Sequence, residues 1–382
     1  MKFRIKLDAL RSVFKKCATF FAKDAKDEKN VYICATDFEY RDKGWKGYKI
    51  IFQCSGRYSS LSVNVYDGID VAETGEVVLR FDIVNKILAT VKGDDVDIMT
   101  SGTTGKLVVG KSSFNLTTGD SIVYVKPFDI KDAKNIAYIP ADKFINTAKT
   151  VASFADKTAS QAVFGGVYFK QIDDNLNLVA TDTRSMCVGR ILINRKNTDK
   201  VFSECVIPDY QVEAAADIFE TCLSEDGYIT LYLLGDSKCI FSDGYTTYHA
   251  SVIEGVYPKF NSVFNKDGYF SLTLDTKEIV SALSQAKICT SGDYRGVLFN
   301  LKDGNLELSS ESPETGRADI KLDYETSDSG VVKVSCEWIL KAIKAAGTES
   351  IVFKFPEKGT APIIINPEEP LKIAVMPLSQ GR

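Results

Sequence analysis

Gly166-Val167-Tyr168-Phe169-Lys170-Gln171-Ile172-Asp173-Asp174-Asn175-Leu176-Asn177-Leu178-Val179-Ala180 reads as a β-hairpin: apolar and polar residues alternate on either side of an Asp-Asp-Asn turn. Gly296-Val297-Leu298-Phe299-Asn300-Leu301-Lys302-Asp303-Gly304-Asn305-Leu306-Glu307-Leu308-Ser309 aligns with it almost without adjustment, with Asp303-Gly304-Asn305 at the turn. Tyr48–Val65 supplies a weaker third hairpin. A segment recurring at long, regular intervals marks a repeat architecture, so the rest of the chain is read as copies of one unit.

Three further features recur in the same order. A strand runs into an amphipathic helix at Phe3–Phe21, Ala137–Phe154 and Tyr269–Cys289, with Asp8, Asp142 and Asp275 at the helix starts, where a carboxylate favours the positive helix end. A second strand–helix pair lies at Val77–Thr90, Cys205–Leu223 and Val332–Ala346. Closing strands lie at Asp95–Leu116, Tyr228–Ile253 and Ser350–Met376. Each copy thus reads β-α-β-β-β twice over, an α+β fold. The expected domains are 1–127, 128–256 and 257–382, joined near Lys126-Pro127-Phe128 and Tyr257-Pro258-Lys259. A Lys-, Asp- and Gly-rich insertion near Asp24–Trp45 is expected to be an exposed excursion of the first copy.

Composition narrows the function classes. The chain has 382 residues, 45% hydrophobic and 26% charged, enough to bury several cores without disulfides. Nine cysteines, an odd number with no C-x-x-C pair, read as buried thiols rather than a disulfide frame or zinc site. No apolar run reaches a membrane-spanning length, and the N-terminus alternates like a strand rather than a signal peptide, so a cytoplasmic protein is expected. The single histidine, His249, sits in a strand-like run, which leaves no catalytic His pair or multi-His metal centre. Ser101-Gly102-Thr103-Thr104-Gly105-Lys106 is too short between its glycines for a phosphate loop and reads as a hairpin turn. Ala35-Thr36-Asp37 and Ala180-Thr181-Asp182-Thr183 read as acidic loops, and only they and Asp173/Asp174 favour a hydrolase. No catalytic residue, metal or cofactor is expected.

Net charge is −4, so any nucleic-acid binding must come from local placement of bases. The helices show such placement: Arg11, Lys15, Lys16 and Lys23; Arg80, Lys86 and Lys92; Lys143, Lys149 and Lys157; Lys277, Lys287, Lys341 and Lys344. Helix 209–226 breaks the pattern with six acids and no base, which favours a protein-binding scaffold.

The chain resembles the bacterial DNA polymerase III β subunit family, the β sliding clamps, as a diverged member. The matching stretches are Met1-Lys2-Phe3, Gly110–Leu116, Gly166–Val167 through Leu178–Asp182, Ile253–Phe260, Arg295-Gly296-Val297 and the tail Ala374-Val375-Met376-Pro377-Leu378. The resemblance implies three similar clamp domains, helices lining a ring and sheets outside. It implies a homodimer that encircles duplex DNA without reading sequence, is opened by a clamp loader, and tethers the replicative polymerase. Arg11, Lys15, Lys86, Lys149, Lys341 and Lys344 would then face DNA. Phe114 and Leu116 would meet Ile288 and Cys289 across the dimer interface. A peptide groove suited to Leu or Phe anchors would be lined by Phe164, Gly166, Thr181, Thr183, Arg184, Ser185, Met186, Pro258, Ser262, Val263, Ala374, Val375, Met376, Pro377 and Leu378. The chain departs from the family pattern at Thr183-Arg184-Ser185, where the arginine has moved one place, and at Ser262, where an arginine is usual.

Overall fold

The computed structural model describes residues 1–24, 29–39, 46–119, 135–194, 202–220, 227–235, 237–264, 268–292, 295–302, 304–324, 328–357, 359–366 and 370–378. It is 26% helical and 50% strand, the α+β mixture expected.

The motif of strand, helix and three strands occurs six times in succession. The first copy runs β1 (Lys2–Lys6), α1 (Leu7–Lys23), β2 (Asn30–Glu39), β3 (Lys46–Ser55) and β4 (Ser60–Val65); after an added β5 (Ile69–Glu73) come β6 (Gly75–Arg80), α2 (Phe81–Thr90), β7 (Asp95–Ser101), β8 (Thr104–Val109) and β9 (Ser112–Thr117). The second runs β10 (Asn135–Pro140), α3 (Ala141–Ala152), β11 (Gly166–Ile172), β12 (Asn175–Thr181), β13 (Ser185–Leu192), β14 (Glu204–Pro208), α4 (Asp209–Glu220), β15 (Tyr228–Leu234), β16 (Lys238–Ser242) and β17 (Thr246–Ser251). A one-turn helix α5 (Asn261–Phe264) precedes the third: β18 (Tyr269–Asp275), α6 (Thr276–Ile288), β19 (Gly296–Lys302), β20 (Asn305–Ser312), β21 (Gly316–Asp323), β22 (Gly330–Ser335), α7 (Cys336–Ala346), β23 (Ser350–Pro356), β24 (Ile363–Ile365) and β25 (Leu371–Val375).

Contacts gather the chain into two compact units, Met1–Asn146 with Leu192–Ile253, and Thr147–Ile191 with Glu254–Arg382. In the first, one sheet has the order β5-β1-β7-β8-β9 and another β10-β15-β16-β17-β4-β3-β2-β6. Pairing of β17 with β4, including Tyr248 opposite Leu61, makes one sheet from strands of two copies. Helix α1 covers its core. Leu10, Phe14, Cys17 and Phe21 recur at helical spacing and are buried, and Phe14 and Phe81 stack at 5.8 Å. In the second unit, β11-β12-β13-β25-β24-β23-β18 follow one another in a sheet, with β13 and β25 again joining two copies, and β21-β20-β19-β22 form another. Helices α6 and α7 pack together there.

The quoted hairpins form as expected. Ile172 pairs with Asn175 and Lys302 with Asn305, and the turns use Asp173 at φ 52 and Gly304 at φ 80. Both are residue types that tolerate left-handed backbone. Ser101–Thr104 is the β7–β8 turn, with Gly102 at φ 59.

The reading of the first copy is corrected. Residues 30–39 are not an exposed excursion: they form β2, inside the sheet between β3 and β6, with Val31, Ile33 and Ala35 buried. Ala35-Thr36-Asp37 is therefore strand, not loop. The first copy's counterpart of the quoted hairpins is β2–β3, and Tyr48–Val65 is β3–β4, one strand later. The charged stretches flanking Val31-Tyr32-Ile33-Cys34-Ala35 conceal a run apolar enough for a strand covered on both faces. The acids expected at the helix starts are in place, in two geometries. Asp275 is a true N-cap, accepting the Glu278 N–H at 2.9 Å, whereas Asp8 and Asp142 lie in first turns. Residues 25–28 and 40–45, Lys126-Pro127-Phe128, Glu225, Asp226 and the tail Ser379–Arg382 lie outside the described residues.

Candidate functional site

The site forms where the β12–β13 turn meets the last strand of the chain. Thr181 ends β12, and its Oγ1 donates to the Ser185 carbonyl at 2.7 Å while accepting the Thr183 N–H at 3.0 Å. Asp182 Oδ1 accepts the N–H groups of Arg184 (3.0 Å) and Ser185 (2.6 Å) and the Ser185 hydroxyl (2.9 Å). Together these bonds hold Thr183 at φ 69, outside the region a threonine prefers. The Asp182 carboxylate that favoured a hydrolase thus builds the loop.

From this turn β13 pairs with β25, placing Ser185 opposite Val375 and Met186 opposite Ala374. The ladder continues past the strand: Met376 N–H donates to the Arg184 carbonyl at 2.8 Å. Pro377 then bridges Val334 on β22, and Leu378 N–H donates to the Lys333 carbonyl at 2.7 Å. The C-terminal residues therefore run across two sheets of one unit. The same unit holds an aromatic cluster. Tyr168 and Tyr257 stack at 4.7 Å with 3° between planes, and Phe164 and Phe260 meet them edge-on. Ser262 Oγ donates to the Lys259 carbonyl at 3.4 Å, and the Val263 N–H to the Phe260 carbonyl. Burial pushes the Tyr257 phenol above its ordinary range.

The expected groove residues sort by exposure. Gly166, Thr181, Ser185, Ala374 and Val375 are buried and act as framework. Thr183, Arg184, Pro258, Ser262 and Met376 are exposed, and Phe164, Met186, Val263, Pro377 and Leu378 are half-buried, so these ten are available to a ligand. Sequence reasoning missed Tyr168, Tyr257 and Phe260, whose alternation signals only core. It also missed Trp338, over whose ring the Arg184 guanidinium lies at 5.1 Å.

The cationic helices are less uniform than their spacing suggests. Lys15, Lys86 and Lys344 are exposed. Arg11 instead turns onto the end of α2, donating to the carbonyls of Leu88 (3.0 and 3.1 Å) and Val91 (2.8 Å). Lys341 sits over the Phe154 ring at 4.4 Å, and Lys149 is half-buried. Two other bases of α1 are also committed: Lys16 is buried, donating to Thr246 Oγ1 at 3.0 Å, and Lys23 pairs with Glu213 of the acidic helix α4 at 2.7 Å. Half-buried Phe114 and Leu116 alternate with exposed neighbours on β9, the edge strand of its sheet. At the end of α6, Ile288 is 72% exposed, so it is not a core residue, and Cys289 is half-buried.

Among the described residues no group of three His, Cys, Asp or Glu side chains could hold a metal ion, and no helix is long and apolar enough to cross a membrane.

The family model described as DNA polymerase III beta subunit, C-terminal domain, matches residues 261–379. A beta sliding clamp of Staphylococcus aureus is 24% identical over 313 residues, 80% of each chain, and one of Halalkalibacterium halodurans is 20% identical over 307 residues, 79% of each. The DNA polymerase sliding clamp of Bacillus subtilis shares the fold at a TM-score of 0.83 and 18% identity, covering 100% of this chain and 99% of that one. The DNA polymerase III subunit beta of Pseudomonas aeruginosa does so at 0.83 and 17%, covering 99% and 100%.

Proposed function

We propose that this chain, a diverged member of the β sliding clamp family, is a DNA sliding clamp: a ring-shaped processivity factor that encircles duplex DNA and tethers the replicative polymerase. The observation that carries the reading is the sixfold recurrence of strand, helix and three strands, in a fold that clamp structures share along the whole chain. That recurrence supports three clamp domains over 1–127, 128–256 and 257–382. A ring needs two such chains, closed by Phe114 and Leu116 of one protomer against Ile288 and Cys289 of the other. The free edge of β9 and the exposed Ile288 support that interface, since edge pairing would cover both.

Retention on DNA is then topological. The wall needs only weak, sequence-blind attraction to phosphates, and strong binding would impede movement. Lys15, Lys86 and Lys344, exposed on helices, suit that task, and half-buried Lys149 is proposed to share it. Arg11 and Lys341 contribute positive field while their tips serve the fold. Partners would dock through short peptides with Leu or Phe anchors, in the groove lined by Phe164, Met186, Val263, Met376 and Leu378. A clamp has no reaction to catalyse, and the committed Asp182 agrees with that role. A clamp loader of the cytoplasm would open the ring.

The test is to load the protein onto a nicked circular DNA with a clamp loader and then linearise the circle. A clamp stays on the circle and leaves only after cutting. Protein that dissociates equally from circle and linear DNA overturns the reading.

A further inference from the structure

Helix α4 carries acids where α1 carries bases. It buries its apolar stripe and leaves Tyr210, Glu213, Asp217 and Glu220 open to solvent. These positions recur three and four residues apart, so they form one face. Three of the four are acids, and no base stands anywhere in the helix.

The two helices pack against each other within one unit. Lys23 at the end of α1 pairs with Glu213 at 2.7 Å, and only 32% and 24% of the two side chains are exposed. Beside this pair runs a cleft, lined by Lys15, Thr19, Ala22 and Lys23 from α1 and by Asp217 and Glu220 from α4. The open side of the helix pair is therefore a seam of opposite charges, with the exposed Lys15 on one bank and the α4 acids on the other.

Protein–DNA affinity without base contacts comes from cations that shed mobile counterions as they meet phosphates. Lys23 is already neutralised by a fixed carboxylate. A phosphate that reaches it must displace Glu213, and no salt ion is released. Because the pair is partly buried, salt screens it less than it screens an exposed pair. Asp217 and Glu220 also repel the phosphates that Lys15 attracts, over a range of about 10 Å at 0.1 M salt.

We propose that Glu213, Asp217 and Glu220 are built-in counterions for Lys15 and Lys23, an electrostatic brake on DNA affinity that keeps the duplex mobile in the passage. The proposal rests on the clamp reading, under which α1 and α4 line that passage. Solubility alone would not require acids that share a cleft with lysines and hold one of them.

The test uses the full-length protein and a fluorescein-labelled duplex oligonucleotide read by anisotropy across a salt series. Glu213→Gln/Asp217→Asn/Glu220→Gln keeps the side-chain shapes. It should bind about tenfold more tightly at low salt, with a log–log salt slope steeper by about 0.9 for the freed Lys23. Adding Lys15→Gln/Lys23→Gln to it should abolish the gain. After loading on a circle and linearisation, the neutralised protein should leave the ends more slowly than wild type. A gain that survives the lysine replacements would come from bulk charge and refute the seam. Wild-type affinity and slope in the neutralised variant would refute the brake, and retention of wild type on the nicked circle would then leave the clamp reading standing. If wild type is not retained on the circle, clamp and brake fall together. Should the triple variant fail to fold, Asp217→Asn/Glu220→Gln leaves the Lys23–Glu213 bond in place: a smaller gain that Lys15→Gln cancels supports the brake, and no gain overturns it.

Discussion

The Arg11 guanidinium donates twice to the Leu88 carbonyl, at 3.0 and 3.1 Å, from one helix to the C-terminal end of the next. Helix α2 has no base in its last turn, and its final carbonyls carry the negative end of the helix dipole. Arg11 answers both needs from α1. Arg11→Ala should therefore cost stability, about 1 kcal/mol given its partial exposure, while Lys15→Ala from the same helix should cost almost nothing. Urea unfolding of the two variants makes the comparison, and equal midpoints would remove the capping role.

The exposed bases should act on DNA alone. Lys15→Glu/Lys86→Glu/Lys344→Glu leaves every described hydrogen bond in place, so its unfolding midpoint should match wild type. Its DNA association should lose salt dependence, by a slope of about 0.9 for each phosphate contact removed, and primer extension should become shorter. An unchanged salt slope would show that these lysines do not face DNA.

Ile288, at 72% exposure, is costly to leave in water. In the proposed ring, Ile288→Asp should therefore shift the protein from dimer to monomer at micromolar concentration, with no loss of secondary structure. Sedimentation equilibrium reads the mass. A dimer that persists unchanged would place the interface elsewhere.

His249 should make folding acid-sensitive. Burial, with a smaller push from Lys238, lowers its pKa from 6.5 to about 4. Above pH 6.5 the imidazole is neutral whether the chain is folded or not. Between 6.5 and about 4 the unfolded chain takes the proton and the folded one does not, so acidification favours unfolding. The loss from this residue should reach about 2 kcal/mol by pH 5. His249→Gln should remove that part of the slope in unfolding free energy measured from pH 7 to 5, and the same slope in both proteins would contradict the burial argument.

The candidate site is only partly legible in the sequence. Met376, Met186 and Leu378 stand out as apolar residues in matching motifs, and they do lie at the surface or near it. Thr181, inside a matching stretch, and Ser185, at a departure from it, are both buried and hold the turn. The Arg184–Trp338–Arg295 arrangement is invisible in one dimension, because its members come from a turn, a helix and a strand start over 150 residues of chain apart in one case.

What the sequence determines alone is the alternation. Period-2 runs broken by Asp-Asp-Asn and Asp-Gly-Asn, and apolar spacing such as Leu10, Phe14, Cys17 and Phe21, dictate hairpins and helices locally, and their recurrence dictates a repeated fold. Tertiary structure decides what each polar residue is for. Lys15 and Lys16 are neighbours of one chemistry, yet the first is exposed and the second donates to Thr246 in the interior. A helical period assigns a side chain to a face, but only the packed partner determines whether that face meets water, a carbonyl or another strand.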